Sequence, residues 1–296
     1  MNRISLNLKL LKQYFLKAIS VLFTVLSAIL LLMSKEDIGI TSKWISFITF
    51  GICFLIAFVY AVLRVCFYKS KEVFDNGQGK LILKYNDLWK IAFPKKSFFR
   101  KKSKKIVVVS VNTTFDTIVD EDLSKVPKPL VSENTMHGQW LKKMKEQGVD
   151  ITAIDESIKN NLKQQGINPS RKLDRLQKER GNLDCFKKGT IAVYEHNNTI
   201  FYLIALSEFD ENNNAQNTKD ELVNTTEQLI EYYDKYGQGY DLYIPLLGTG
   251  MSRTNISLEE SLQIMVSYFK IYKAKIHGNV NIIIYKKQRN KVSLDI

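Results

Sequence analysis

The sequence predicts an N-terminal two-helix transmembrane hairpin followed by an α/β domain, three layers deep around a central mixed sheet. Three observations predict it. Two apolar runs near the beginning approach or reach the roughly 20 residues a helix needs to cross a bilayer. Beyond residue 80 the apolar pattern switches between a period of two and a period of 3.6, as strands and helices require. A late core strand stops at the glycine-bearing loop 247–253, LGTGMSR, before a capped helix. Open α/β sheets bind ligands at such strand ends.

The second apolar run, 44–63, WISFITFGICFLIAFVYAVL, has no charge. The first, AISVLFTVLSAILLLM at 18–33, is extended backward by Tyr14, Phe15 and Leu16, and Lys17 can snorkel to the headgroups. Spans are expected at about 14–33 and 44–67, within an anchor of residues 1–71. No small-residue cleavage site follows the first run and the second begins within ten residues, so a signal peptide is disfavoured. Arg3, Lys9, Lys12 and Lys17 precede the first span and Arg64, Lys69 and Lys71 follow the second, whereas Glu36 and Asp37 balance the two lysines of the connector. By the positive-inside rule both termini face the cytoplasm. Ser20, Thr24, Ser27 and Ala28 form a small-residue face that suits either the second span or a helix from elsewhere.

The net charge of +13 is a property of the N-terminal third. Residues 1–105 hold 19 Lys+Arg against 5 Asp+Glu, leaving 24 against 25 in the rest. A near-neutral globular part lacks the broad basic face that nucleic acid demands, so no nucleic-acid partner is expected. The stretch 94–105, PKKSFFRKKSKK, instead suits an anionic lipid surface, with seven cations around Phe98 and Phe99. Cys53, Cys66 and Cys185 have neither disulfide-framework nor zinc spacing.

The domain over 72–296 begins with KLILKYN (80–86) and the apolar strand KIVVVSV (105–111). TIAVY (190–194) and TIFYLIAL (199–206) read as a strand pair turning at Asn197-Asn198. Residues 137–180 are charged and helical in pattern, interrupted at Gly148, Gly166 and Pro169. Thr218 with Glu221 and Ser257 with Glu260 are capping boxes that start two amphipathic helices. Strands 240–246 and 279–285 flank the second of these helices.

Three loops carry the chemistry. In 247–253, Leu247 follows the core strand, Gly248 and Gly250 permit close backbone approach, Thr249 and Ser252 offer hydroxyls, Met251 lies between them, and Arg253 is a cation. Successive N–H groups in such a turn suit a diphosphate. The loop VNTTFDT (111–117) collects Val111, Asn112, Thr114, Phe115, Asp116 and Thr117 at a strand's carboxyl end. In YNDLW (85–89), Asp87 can accept from the exocyclic amine of adenine while Leu88 or Trp89 walls the ring. His137, His196 and His277 give Cys185 or a serine no base at recognisable spacing.

These loops, together with SENTMHGQW (132–140), RGNLDCFKKGTIAVY (180–194) and YLIALSEFD (202–210), resemble the macro domain of the Thoeris anti-phage effectors, in its membrane-anchored version. The resemblance spans essentially the whole chain and implies a macro-domain-like sheet. It implies that Asp87 contacts adenine, that the Asn112 loop lies beside the distal ribose, and that Leu247 to Ser252 wrap the diphosphate. The implied ligand is an ADP-ribose derivative of the histidine-ADP-ribose type, a nucleotide second messenger made by a TIR-domain partner, with no metal or other cofactor. Asp116, Gln139 and Glu208 are candidates to meet its variable end. The implied outcome is homo-oligomerisation in the bacterial inner membrane, membrane disruption and abortive infection. Asn86 stands where hydrolytic macro domains carry glycine, and VNTTFDT is not an Asn-Ala-Ala-Asn loop, so a receptor is expected rather than an enzyme. A membrane-anchored ADP-ribosyl hydrolase or an ADP-ribose-binding scaffold is the alternative.

Overall fold

The computed structural model describes residues 3–33, 42–94, 103–120, 130–209, 215–216, 218–249 and 256–296. The chain forms two compact units, Met1–Ser70 with Lys287–Ile296, and Lys71–Lys286. The segment Lys287–Ile296, which the sequence division leaves with the α/β part, clusters with the helices.

In the first unit, a single turn α1 (Arg3–Leu6) leads into α2 (Leu8–Leu32), and α3 (Lys43–Phe67) starts at Ser42, whose hydroxyl accepts from the Ile45 N–H. Both long helices are apolar enough to cross a membrane. Their seam is aromatic on one side and small on the other. Phe15 packs on Phe54 at 5.9 Å and Phe23 on Phe50 at 5.5 Å, while Ala57, Ala61 and Val65 repeat every four residues and are buried. This spacing keeps them on one helical face. The face of Ser20, Thr24, Ser27 and Ala28 is left uncovered by the chain instead, so it is not the α2 to α3 seam.

The second unit contains β1 (Ser70–Asp75), β2 (Lys80–Asn86), α4 (Leu88–Ala92), β3 (Lys105–Asn112), β4 (Val119–Asp120) and β5 (Val131–Ser132). It continues through α5 (Met136–Glu146), α6 (Ile151–Gln164), β6 (Arg171–Lys172), β7 (Asp184–Cys185), β8 (Ile191–His196), β9 (Thr199–Phe209) and β10 (Ala215–Gln216). Then come α7 (Lys219–Tyr236), β11 (Asp241–Pro245), α8 (Leu258–Ile271) and β12 (Val280–Tyr285). The eight-stranded sheet runs β1-β2-β12-β11-β3-β9-β10, with β8 paired to β9. From β2 to β9 every neighbouring pair is parallel, and the antiparallel β8 makes the sheet mixed.

Alternation along the central strands builds three layers. Val107, Val109 and Val111 of β3 join Phe201 and Leu203 of β9 in a core closed by Trp140 of α5 and Ile158 of α6. Phe201 meets Trp140 at 5.7 Å, whereas its neighbour Tyr202 meets Tyr232 of α7 at 5.1 Å on the other face. Successive strand residues point to opposite faces. Both expected capping boxes form, at Thr218/Glu221 and Ser257/Glu260. The helical pattern of 137–180 ends early: α6 stops at Gln164 and Gly166 takes a left-handed φ of 69°. Residues 167–180 bury no apolar stripe, Leu176 being 92% exposed, and side-chain bonds such as Asp174 Oδ1 accepting from Gln177 N set turns instead.

Candidate functional site

Because β2, β12, β11, β3 and β9 are parallel, their carboxyl ends share one edge. The Asp87 turn, the Asn112 loop and the Gly248 loop all leave from that edge. After β3 the chain passes to α5 on one face, and after the adjacent β11 it passes to α8, which packs beside α7 on the other. Neighbouring parallel strands that depart to opposite faces open a crevice, the usual ligand position in such sheets.

At the first corner, Asp87 is half-buried and caps α4, its Oδ1 accepting from Trp89 N at 3.0 Å. Leu88 is 7% exposed and belongs to the core, which leaves Trp89 as the ring beside the turn. The Trp89 indole N–H donates to Gln139 Oε1 at 2.6 Å, and Gln139 Nε2 donates to the Asn134 carbonyl at 3.1 Å. Gln139 therefore lies at the Asp87 corner.

The Asn112 loop is folded inward. A bulge at Val111/Asn112 ends the regular pairing with β9, and Phe115 takes a left-handed φ of 49°. Asp116 is fully buried. Its Oδ2 accepts from Asn112 Nδ2 at 2.8 Å, Thr114 Oγ1 at 2.7 Å and Lys178 Nζ at 2.6 Å, and its Oδ1 accepts from Asn182 N at 2.8 Å. A buried carboxylate is stable only with such donors and a counter-charge. Burial pulls the Lys178 pKa down and the Asp116 charge resists that shift. Asn112 Oδ1 also accepts from Asp116 N, and Thr117 donates to Asp155 at 3.4 Å. Asn112, Thr114 and Asp116 thus shape the loop through their side chains, with Val111 and Phe115 in the core beneath.

His137 lies on the first turn of α5, buried, and burial lowers its pKa to about 4 against the opposing pull of Asp116. It is neutral near pH 7. Lys178, Asn182 and the Arg180 fork on Asp120, at 3.0 Å to each oxygen, had no local signal in the sequence. They meet their partners about 60 residues away along the chain.

At the third corner Leu247 is buried and its carbonyl accepts from Ser261 Oγ of α8 at 2.7 Å. Gly248 has a φ of 72°, and a Cβ there would find only ordinary contact with Leu222 at 3.8 Å. Backbone conformation, not space, requires the glycine. Thr249 Oγ1 donates to the Leu246 carbonyl at 3.1 Å and tightens the turn. Gly250, Met251, Ser252 and Arg253 lie outside the described residues, as do residues 95–102 of the cationic stretch and the side chain of Glu208.

A cavity of about 360 Å³ borders the Asn112 loop, lined by Arg171, Cys185, Lys187, Lys188, Glu221 and Asn224 among others. Its wall is fixed by Phe186 N donating to the Thr113 carbonyl at 2.9 Å, and Lys188 pairs with Glu221 at 2.6 Å. None of the residues that the sequence puts forward as ligand contacts lines it. Among the described residues no cluster of His, Cys, Asp or Glu suits a metal.

A mixed sheet in this strand order, with its loops gathered at one edge, defines a macro domain carried behind a pair of apolar helices. Residues 96–285 match the family described as Thoeris protein ThsA, Macro domain, and the chain belongs to that family. The Thoeris protein ThsA of Bacillus amyloliquefaciens (strain Y2) is 24% identical over 284 residues, covering 93% of this chain and 86% of that protein. Among solved structures, an Oceanobacillus iheyensis macrodomain with ADP is similar at 10% identity and a TM-score of 0.39, covering 75% of this chain and 90% of that one. A Trypanosoma brucei macrodomain in complex with ADP-ribose is similar at 8% identity and a TM-score of 0.31, covering 64% and 61%.

Proposed function

We propose that the α/β unit is the receptor of a Thoeris effector, binding an ADP-ribose derivative of the histidine-ADP-ribose type made by a TIR-domain partner. Binding then drives homo-oligomerisation and disruption of the bacterial inner membrane by the hairpin, which spans it with both ends cytoplasmic, and infection is aborted. The observation that carries the reading is the convergence, at the carboxyl edge of one parallel array, of the Asp87 turn, the Asn112 loop and the Gly248 turn. A dinucleotide offers adenine to Asp87 and a diphosphate to the main chain from Leu247 onward. Membership of the ThsA family supports the defence role.

Binding without turnover is part of the proposal. Asp116, the carboxylate of the Asn112 loop, is sealed from solvent and held by four donors, three on Oδ2 and one on Oδ1, so it serves as an internal anchor rather than as a base for a ligand-side water. The test is calorimetry of the full chain in detergent with ADP-ribose and with histidine-ADP-ribose, followed by mass spectrometry of the recovered nucleotide. Tight binding with intact ligand is the expected outcome. Cleaved ligand replaces the receptor with a hydrolase, and no heat with either nucleotide removes the binding function.

A further inference from the structure

The segment Lys287–Ile296 is tied to the helical hairpin by a specific buried polar contact. Ser293 Oγ donates to Asn7 Oδ1 at 2.7 Å, with Ser293 8% and Asn7 4% exposed. Val292 and Leu294 on either side are fully buried. Asn7 occupies the N-cap position of α2, where asparagine ordinarily satisfies a backbone N–H of the first turn. Here it makes no such bond. Its carboxamide accepts from Ser293 and donates to the Arg3 carbonyl at 2.8 Å. The Arg3 guanidinium in turn donates to the carbonyls of Cys66, at 2.6 Å, and Tyr68, at the end of α3. Ser293, Asn7 and Arg3 thus form one polar collar joining the start of α2, the end of α3 and the 287–296 segment.

The root of that segment is at the sheet edge where the ligand loops gather. β12 runs parallel to β11, which carries the Gly248 turn, and pairs with β2 so that Tyr285 lies opposite Asn86, the neighbour of Asp87. A single 3-10 turn, Lys286–Gln288, follows β12 directly. The chain between Tyr285, at the end of β12, and Ser293 of the collar is short.

We infer that Lys287–Ile296 is an autoinhibitory clasp, which holds the bases of α2 and α3 in their resting packing and is withdrawn when a nucleotide engages the edge beside β12. The inference rests on the proposed ligand reading for its trigger, but the clasp itself is a property of the ligand-free chain. A contact that stabilises the unliganded state must, by reciprocity, oppose ligand binding.

The experiment compares full-length wild type, Ser293→Ala and a deletion of Lys291–Ile296 in phosphatidylglycerol-containing vesicles. Dye leakage without any nucleotide is measured together with ADP-ribose affinity in detergent. Both variants are expected to leak several-fold faster than wild type in the absence of nucleotide and to bind ADP-ribose several-fold more tightly. Wild-type leakage together with wild-type affinity in Ser293→Ala, which removes one hydroxyl and leaves the fold in place, overturns the clasp even where the deletion unfolds. Tighter affinity without leakage keeps the clasp and removes membrane disruption from the function. Constitutive leakage with no ADP-ribose binding by any of the three keeps the clasp and removes the ADP-ribose reading.

Discussion

Replacing His137 by glutamine is expected to remove a distinct part of the protein's acid sensitivity. The imidazole is 4% exposed and burial holds its pKa down to about 4, the Asp116 charge opposing but not cancelling that effect. In the unfolded chain the group titrates near its ordinary 6.5. As pH falls below that value the unfolded state takes up a proton and the folded state does not, so the unfolded form binds more protons and stability drops until about pH 4. Integrated from about pH 7 to about pH 4.5, the difference amounts to about 2 kcal/mol. For a unit of this size that corresponds to about 4–8 °C in Tm. Thermal unfolding followed by tryptophan fluorescence, at both pH values, gives the comparison. Wild type is expected to lose that much more Tm than His137→Gln over the interval, whatever their relative stability at neutral pH. Equal losses in the two proteins refute the assignment of a buried neutral imidazole.

Three further perturbations probe the site's frame. Lys178→Met strands the Asp116 carboxylate without its cation and is expected to cost about 3 kcal/mol by thermal unfolding, with part recovered when Asp116→Asn is added. Gly181→Ala places a methyl 2.2 Å from Asp116 Oδ1 at a φ of +78°, and a loss of at least about 2 kcal/mol is expected in the same assay. Glu260, held at a pKa of about 2 by the Lys219 hydrogen bond and its Ser257 cap, contributes stability that is present above its ordinary 4.5 and is lost as pH falls toward 2. Amide exchange in α8 is expected to quicken through that window in wild type, and to be flat there in Glu260→Gln.

The parts of the fold that the sequence made legible are those decided by local periodicity. KLILKYN becomes β2 residue for residue, because Leu81, Leu83 and Tyr85 alternate into the core, and Thr218/Glu221 fixes the start of α7. The turn at Asn197 is equally local, with His196 opposite Thr199. β1 was missed because SKEVFD, along the sheet edge, has only Val73 and Phe74 to bury, and both remain half-exposed. The candidate site was legible as three loops but not as a set of side-chain roles. Asp116 in VNTTFDT reads as a polar group offered to a ligand, yet Lys178 and Asn182, more than 60 residues on, turn it into the loop's internal anchor. Likewise Leu88 reads as a wall for adenine, but the first turn of α4 points it into the core and leaves Trp89 half-buried at the core's margin. Nothing short-range distinguishes those outcomes, since each is set by tertiary contact.

The most direct test of the proposed site is a structure of the full chain with ADP-ribose bound. The diphosphate is expected within about 3 Å of main-chain N–H groups in the turn from Gly248 onward, with adenine against Asp87 and Trp89. A diphosphate seated instead among Arg171, Lys187 and Lys188, with the Gly248 turn untouched, would contradict the account.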